Sequence, residues 1–344
     1  MERDQDKESP QRRKAVNSED VAERAGVSRS TVSRVFTPGA RVAEATRQKV
    51  MRAAREVGYR HDSAAREVVE GPVVGLALGA LDNPFYHTVL AEFLSLLQRR
   101  GLQVICHAAE DLESADESIH VLLSRGVDAI IAASLGTNST AIAACTERGV
   151  PLILFNREVE APEVSSVQTD NFDGGRQIAD FLIRGGHQKL AFINGLEGSS
   201  TNRDRLRGFT ERLVELGAPP PVQEYGEYTY ESGREAAKRL MFSAEPPDAI
   251  FCANDIMAFG VLDCLRGDLG KNVPEDVSVV GFDDVPMAAW PAFNLTTMRQ
   301  RRRTMVNATM ERLEAHLKGG ADAAQRLVFE GRLIVRGSAR LPRI

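Results

Sequence analysis

The sequence is poor in cysteine and in aromatic residues, and it contains no long apolar run. It has four cysteines in 344 residues, and none lies in a Cys-x-x-Cys pair or beside a histidine at the spacing of a metal site. We interpret these cysteines as reduced core residues, because a chain of this length needs no disulfide framework. The charged segment from Met1 to Lys14 does not resemble a secretory signal. Since no run approaches the ~18 apolar residues of a membrane helix, we expect a cytoplasmic protein of two or three domains with no membrane or metal partner.

An overall basic charge is also absent, since the net charge is −5. The charge is nevertheless distributed unevenly along the chain. Residues 11–70 contain 13 Lys and Arg against 8 Asp and Glu, whereas residues 71–344 contain 28 against 36. A basic segment joined to an acidic body is typical of a small nucleic-acid-binding module attached to a domain that does not bind nucleic acid. Residues 1–16 are poor in apolar groups, and we expect them to form a disordered tail.

Three short helices are predicted between residues 17 and 60, the third over about 44–57. Gly26 is expected to end the first helix in the left-handed conformation, and Ser28 to cap the second. In the second helix Val32 and Val35 recur at the spacing of a buried face. Two helices joined by a three-residue turn that contains glycine form a helix-turn-helix. The opposite face of the second helix carries the polar and basic residues Arg29, Ser30, Ser33 and Arg34.

The string DVAERAGVSRSTVSRV, from Asp20 to Val35, resembles the head of the lactose-repressor (LacI/GalR) family, whose pattern is DVAxxAGVSxxTVSRV. The resemblance continues to about residue 342. It implies binding in the major groove of double-stranded operator DNA, with Arg29 and Ser30 selecting the sequence and Arg34 reading a guanine. The DNA contacts that it implies for the head are Ser28, Arg29, Ser30, Thr31, Ser33 and Arg34.

Residues 61–72 are expected to form a hinge between head and body. The segment 63–68 is long enough for little more than one helical turn, which is unstable alone. In the family the matching segment folds on operator DNA, where the paired hinge helices of a dimer enter the minor groove and a leucine separates the central base step. The resemblance therefore implies DNA contacts from Ala65, Arg66 and Val68, with Val68 standing where the leucine is usual.

From residue 73 to residue 342, apolar strand-like runs alternate with amphipathic helices. This alternation predicts parallel sheets flanked by helices, and two such series indicate two similar lobes. We expect the first lobe to comprise about 73–168 and 295–326, and the second about 169–294 and 327–342. The resemblance implies the same architecture. The predicted fold is therefore an all-α helix-turn-helix head plus an α/β two-lobed body that is similar to a periplasmic sugar-binding protein.

Polar and aromatic residues follow the predicted strands. Each of them alone is also typical of helix caps and turns, but ligands of parallel sheets bind beyond the carboxyl ends of the strands. Together they predict a cleft for a small polar effector such as a sugar or a nucleobase. The residues that match effector-contact positions of relatives are Phe85, Tyr86, Asn156, Asp170, Thr201, Arg205, Tyr228, Asn254 and Asp283.

The resemblance implies a sequence-specific transcriptional regulator, a repressor that binds a pseudopalindromic operator as a homodimer and responds to a small effector. An alternative is a regulator whose body responds to a protein partner. An enzyme is disfavoured, because Gly195 to Ser200 lacks the third glycine of GxGxxG and the lysine of a P-loop, and no GxSxG is present. We therefore expect no catalytic residue and no cofactor. A solute-binding protein of a transporter is disfavoured because it would carry a signal peptide and no head.

Overall fold

A computed structural model of the chain describes residues 18–36, 40, 42–57, 71–79, 82–108, 114–133, 139–159, 161–319 and 323–342. The chain divides into two compact units between Glu70 and Gly71. The predicted tail over 1–16 and the predicted hinge contacts Ala65, Arg66 and Val68 lie outside the described residues.

The described part of the first unit contains three helices, which are α1 (Ser18–Ala25), α2 (Arg29–Phe36) and α3 (Glu44–Val57). Their apolar faces meet in one small core, in which Val21, Val32 and Val50 are fully buried. Gly26 ends α1 with a φ of +56°, as the sequence predicts. Arg47 of α3 donates from Nη1 to the carbonyl oxygen of Val35 at 3.0 Å, and so satisfies an acceptor at the end of α2.

The second unit contains two α/β lobes that alternate strands and helices along the chain. The elements of the first lobe are β1 (Val73–Leu78), α4 (Pro84–Arg99), β2 (Gln103–Ala108), α5 (Ser114–Ser124), β3 (Ala129–Ala133), α6 (Ser139–Glu147), β4 (Leu152–Phe155) and β5 (Ser165–Thr169). Those of the second lobe are α7 (Asn171–Arg184), β6 (Leu190–Asn194), α8 (Ser200–Glu215), β7 (Val222–Tyr225), α9 (Tyr230–Met241), β8 (Ala249–Cys252), α10 (Asp255–Asp263), β9 (Ser278–Asp283) and β10 (Thr296–Arg299). The chain ends with α11 (Arg302–Leu317), β11 (Arg326–Phe329) and β12 (Arg332–Ile334).

Each lobe has one six-stranded sheet. The strand order is β11-β5-β4-β3-β1-β2 in the first and β12-β10-β9-β8-β6-β7 in the second. Every pairing in the two sheets is parallel except that of β12 with β10. Strands β3, β6, β8 and β9 are buried along their whole length, because helices cover both faces of a parallel sheet. The predicted two-lobed α/β body is thus confirmed.

The predicted boundary between the lobes is wrong in the last fifty residues. Strand β10 pairs with β9, so residues 296–299 belong to the second lobe rather than the first. Strand β11 pairs with β5, which places residues 327–329 in the first lobe rather than the second. The physical reason is that a strand's own residues determine that it is extended, whereas its neighbours in space determine which sheet it joins.

Among the residues that the structure describes, no helix combines the length and the hydropathy that a membrane-spanning segment needs.

Candidate functional site

The second helix of the first unit presents a polar, basic face. On α2 the residues Arg29, Ser30, Ser33 and Arg34 are exposed, Thr31 is half-buried, and Val32 and Val35 are buried on the other side. Ser28 caps the helix, since its Oγ accepts the Thr31 N–H at 3.2 Å. The structure therefore brings the six predicted head residues to one exposed end and face of a single helix.

In the second unit, a small cavity lies between the lobes, where strands of both sheets end. Seven of the nine predicted effector residues line it. The complete lining is Asn83, Tyr86, Asn156, Arg157, Thr201, Arg205, Tyr228, Asn254 and Asp283. The free space is about 20 Å³, enough for about one water molecule. The side chains from the two lobes thus nearly fill the space between them.

Two predicted effector residues lie outside this cavity lining. Phe85 is buried in the core and meets the ring of Tyr86 edge to face, with 5.2 Å between ring centroids. Asp170 caps α7, because its Oδ1 accepts the Asp173 N–H at 2.8 Å. Packing explains the position of the first residue and helix capping that of the second, and neither lines this cavity.

Two lining residues, Asn83 and Arg157, were not among the predicted contacts. Asn83 Nδ2 donates to Asp283 Oδ2 at 3.3 Å. Arg157 Nη1 donates to Ser199 Oγ at 2.9 Å and to Thr201 Oγ1 at 2.5 Å. Both sets of bonds join the first lobe to the second. Each of these two residues follows a strand of the first lobe and lies close in sequence to a predicted contact. This position after a strand could have identified them from the sequence.

Asp283 is the only carboxylate of the lining. Its Oδ1 accepts from Gln300 Nε2 at 2.6 Å, and the Gln300 Oε1 accepts from the Thr169 hydroxyl at 2.8 Å. Thr169 and Gln300 lie on two of the segments that cross between the lobes. Burial raises the pKa of Asp283 to about 6, although the Arg205 cation and the bonds from Asn83 and Gln300 act in the opposite direction.

Arg205 lies on α8, lines the cavity and is almost fully buried. Its Nε donates to Asn171 Oδ1 at 2.9 Å and its Nη1 to the Ala253 carbonyl at 2.5 Å. The guanidinium carbon lies 3.7 Å from the centroid of the Phe282 ring, a cation–π geometry. Burial lowers the pKa of Arg205, and the negative charge of Asp283 opposes this shift. The guanidinium stays protonated, because arginine is not deprotonated in proteins.

A second buried carboxyl, Asp255, lies on α10 next to the cavity residue Asn254. Its Oδ1 accepts from the Thr297 hydroxyl at 2.5 Å, and its Oδ2 accepts the Val285 N–H at 2.9 Å. Burial, reinforced by the nearby charge of Asp283, raises the pKa of Asp255 to about 8. This carboxyl is therefore mainly protonated at neutral pH and adds little negative charge to the site.

The backbone is strained around the cavity. Asn156, Tyr228 and Asp283 have φ values of 57°, 62° and 138°, in the region that favours glycine. The Tyr228 ring packs directly on Gly195, where a Cβ would lie 2.1 Å from its Cζ. Such strain persists only where the surrounding packing maintains it, and it is typical of sites that hold ligand-binding side chains in fixed positions.

Two family models match the chain. Residues 19–62 match the bacterial regulatory proteins of the lacI family, and residues 179–339 match a periplasmic binding protein-like domain. The chain is 34% identical over 339 residues to the HTH-type transcriptional regulator CelR of Thermobifida fusca, a match that covers 95% of this chain and 99% of that protein.

Solved structures resemble both units of the chain. The complex of the transcriptional regulator CelR with cellobiose has a TM-score of 0.72 and 32% identity, over 94% of this chain and 100% of that one. The crystal structure of the lac repressor dimer bound to operator and the anti-inducer ONPF has a TM-score of 0.72 and 27% identity, over 94% of this chain and 99% of that one.

Proposed function

We propose that this chain, which belongs to the LacI family of bacterial regulatory proteins and is a DNA-binding transcriptional repressor, binds a pseudopalindromic operator as a homodimer. Its affinity for that operator changes when a small polar effector binds between the lobes. The proposal implies a cytoplasmic protein without catalytic activity, cofactor or metal.

The observation that carries this proposal is the exposed face of α2. Arg29 and Arg34 lie on it while Val32 and Val35 hold the helix against the small core. An α-helix fits the major groove, where an arginine donates two hydrogen bonds to O6 and N7 of a guanine. Each such pair discriminates against a wrong base by roughly 1–3 kcal/mol. Two copies of the face are needed to read the two halves of a symmetric site, which supports a dimer.

The cavity supports a small effector rather than a protein partner. Its lining supplies amide, hydroxyl, carboxyl and guanidinium groups together with the tyrosine rings, a set that suits a sugar or a nucleobase. The relative CelR is described in complex with cellobiose, which favours a sugar-like ligand. The ligand would contact Tyr86, Asn156, Thr201, Arg205, Tyr228, Asn254 and Asp283.

Ligand binding and the arrangement of the lobes are coupled in this proposal. A sugar does not fit into about 20 Å³, so its entry separates the lobes or displaces Arg157 and Asn83. Either change breaks hydrogen bonds that join the lobes. These are the bonds from Arg157 to Ser199 and Thr201 and the bond from Asn83 to Asp283. We expect the resulting difference in lobe arrangement to change operator affinity by about 1–3 kcal/mol of coupling free energy.

The test is selection of bound duplexes from random DNA, followed by affinity measurements on the selected site. Arg34→Ala should abolish preference for that site over random competitor, because it removes a base contact, and should leave the thermal stability of the body unchanged. Arg52→Ala is the matched control, since it removes a positive charge from α3 that is also exposed. If wild type selects no sequence, or if both variants lose affinity equally, the proposed reading of the operator is wrong.

A further inference from the structure

We propose that the effector carries an anionic group, a carboxylate or a phosphate, which binds at the N-terminus of α8 beside Arg157. The inference rests on the proposed function, because it specifies the ligand of the same cavity. It assigns a sugar acid or a sugar phosphate, rather than a neutral sugar, to this regulator.

Two guanidinium groups are buried in the cavity, and Asp283 is the one carboxylate of the lining that faces both of them. Arg157 comes from the first lobe and is 5% exposed, and Arg205 comes from the second and is 2% exposed. Arg157 donates only to hydroxyl oxygens, and Arg205 only to an amide and a carbonyl oxygen. Among the described residues neither arginine forms an ion pair. Two buried cations that share one carboxylate are costly, so an anionic ligand would be favoured here.

Four polar groups form a cradle where α8 begins. The Arg157 Nη1, Ser199 Oγ, Thr201 Oγ1 and Tyr228 hydroxyl lie 2.5–3.3 Å from one another along their hydrogen bonds. Ser199 is the N-cap of α8, a helix of 16 residues. The first N–H groups of such a helix and its dipole favour an anion. Hydroxyl donors, a guanidinium and a helix N-terminus together match the acceptor oxygens of a carboxylate or a phosphate.

Unused hydrogen-bonding capacity points to a ligand at the same place. The Nε of Arg157 is buried and has no hydrogen-bond partner among the described residues. The Oδ1 of Asn156, on the neighbouring residue, is also buried without one. The first atom is a donor suited to an anionic oxygen, and the second is an acceptor suited to a ligand hydroxyl. A polyhydroxylated ligand with one anionic group would satisfy both atoms.

The carboxyl groups of the site do not neutralise the two arginines. Asp283 already accepts bonds from Gln300 and Asn83, and although a pKa of about 6 leaves it mostly ionised at pH 7, it offsets only one of the two positive charges. Asp255, with a pKa of about 8, is mainly protonated. The lining therefore carries an excess of positive charge that a neutral ligand would leave in place.

The experiment uses full-length protein, calorimetric titration and thermal shift at constant ionic strength. The probes are inorganic phosphate and acetate, each compared with chloride, and the sugars glucose, glucuronate and glucose 6-phosphate. We expect phosphate or acetate to raise Tm above the chloride value. We also expect an anionic sugar to bind at least about tenfold more tightly than glucose, because charge-assisted bonds are about twice as strong as neutral ones. Glucuronate and acetate report on a carboxylate, and glucose 6-phosphate and inorganic phosphate on a phosphate.

Arg157→Gln should abolish both the Tm increase and the preference for the anionic sugar. Arg326→Gln is the matched control, because it removes an arginine from an ion pair with Glu158 at the surface of the same lobe; it should retain both effects. Should Arg157→Gln fail to fold, Asn156→Asp adds a negative charge to the lining and should weaken anion binding about tenfold.

The inference is overturned if glucose binds as tightly as its acid and its phosphate. It is also overturned if inorganic anions act no differently from chloride, or act equally on wild type and Arg157→Gln. Operator selection is measured separately, so a regulator that reads its operator and responds to a neutral sugar would leave the proposed function intact. An anion effect without operator binding would contradict the proposed function alone.

Discussion

At the scale of single residues, Asp283 connects the cavity to the segments that cross between the lobes. Its carboxylate contacts Asn83 of the first lobe, and Gln300, which in turn is bonded to Thr169. A ligand hydroxyl that replaces one of these partners would also change how the lobes are held. Under the proposed function, the same residue would serve both ligand recognition and lobe arrangement.

Asp283→Ala should eliminate the response of DNA binding to effector and leave operator affinity in the absence of effector within about twofold, because the head has its own core. Operator affinity is measured with and without the effector. The exposed residue Asp82 provides a control in the variant Asp82→Asn, which should respond as wild type does. An unchanged response in Asp283→Ala would remove this residue from the site.

Asp255 predicts a pH dependence of stability. Its pKa is about 8 in the folded protein and 3.8 in its ordinary state. Between these pH values Asp255 is ionised in the unfolded chain and protonated in the folded chain. The free energy of unfolding therefore falls as the pH rises from about 4 to 8. Asp255→Asn mimics the protonated form, since its amide can donate to Thr297 and its oxygen can accept from Val285.

Between pH 5 and pH 8 the Tm of wild type should therefore fall by roughly 5 °C more than the Tm of Asp255→Asn. Thermal unfolding across this range checks the prediction. Asp276→Asn, at an exposed position, should keep the wild-type slope. Equal slopes in wild type and Asp255→Asn would show that the buried carboxyl is ionised throughout.

At the scale of elements, the contact between α7 and α8 depends on two glycines. A Cβ at Gly208 would lie 1.9 Å from the Phe172 carbonyl oxygen, and one at Gly175 would lie 2.3 Å from that of Arg205. Any side chain at either position would separate the two helices. Arg205 and Thr201, both on α8, would move with the helix, so helix packing fixes the geometry of the cavity.

Gly208→Ala should lower the free energy of unfolding by about 1–3 kcal/mol, because the added methyl meets backbone that cannot move out of its way. It should also weaken effector binding by displacing Arg205. Denaturant unfolding and effector titration measure the two effects. Gly267→Ala is the control, since that position has open space around it and lacks a left-handed φ. A stable Gly208→Ala variant with normal effector affinity would contradict this account of the helix contact.

At the scale of the whole molecule, the two units have separate cores and unequal size. Among the residues that the structure describes, the core of the first unit contains eight small buried residues, whereas the second unit has cores that extend through both lobes. So small a core contributes little stability by itself. Under the proposed function, one such head would contact few base pairs, so a second copy would be needed for specific binding.

Sedimentation equilibrium at micromolar concentration should give twice the chain mass of 37.6 kDa, because a symmetric operator requires two heads. Dilution below the dissociation constant of the dimer should weaken operator binding more steeply than a simple one-to-one equilibrium predicts. A monomer that binds the selected operator with full affinity would contradict the dimer.

The sequence by itself determined the local elements and the class of the protein. The third head helix was predicted over about 44–57 and is observed at Glu44–Val57, and the glycine that ends α1 was predicted correctly. These features depend on periodicity, caps and turn residues that lie within a few positions of one another. The dense match from Asp20 to Val35 identified the family for the same reason, since its matching residues lie in one short continuous stretch of the chain.

Only the tertiary structure decided which residues meet between the lobes. Phe85 and Asp170 follow strands as the true lining residues do, yet they pack into the core and cap a helix. Arg157 was missed because its partners Ser199 and Thr201 are more than forty positions away. Strand β10 was assigned to the first lobe from the sequence, whereas its pairing with β9 places it in the second. Chain-distant contacts depend on how the two lobes are brought together, and no local pattern encodes that arrangement.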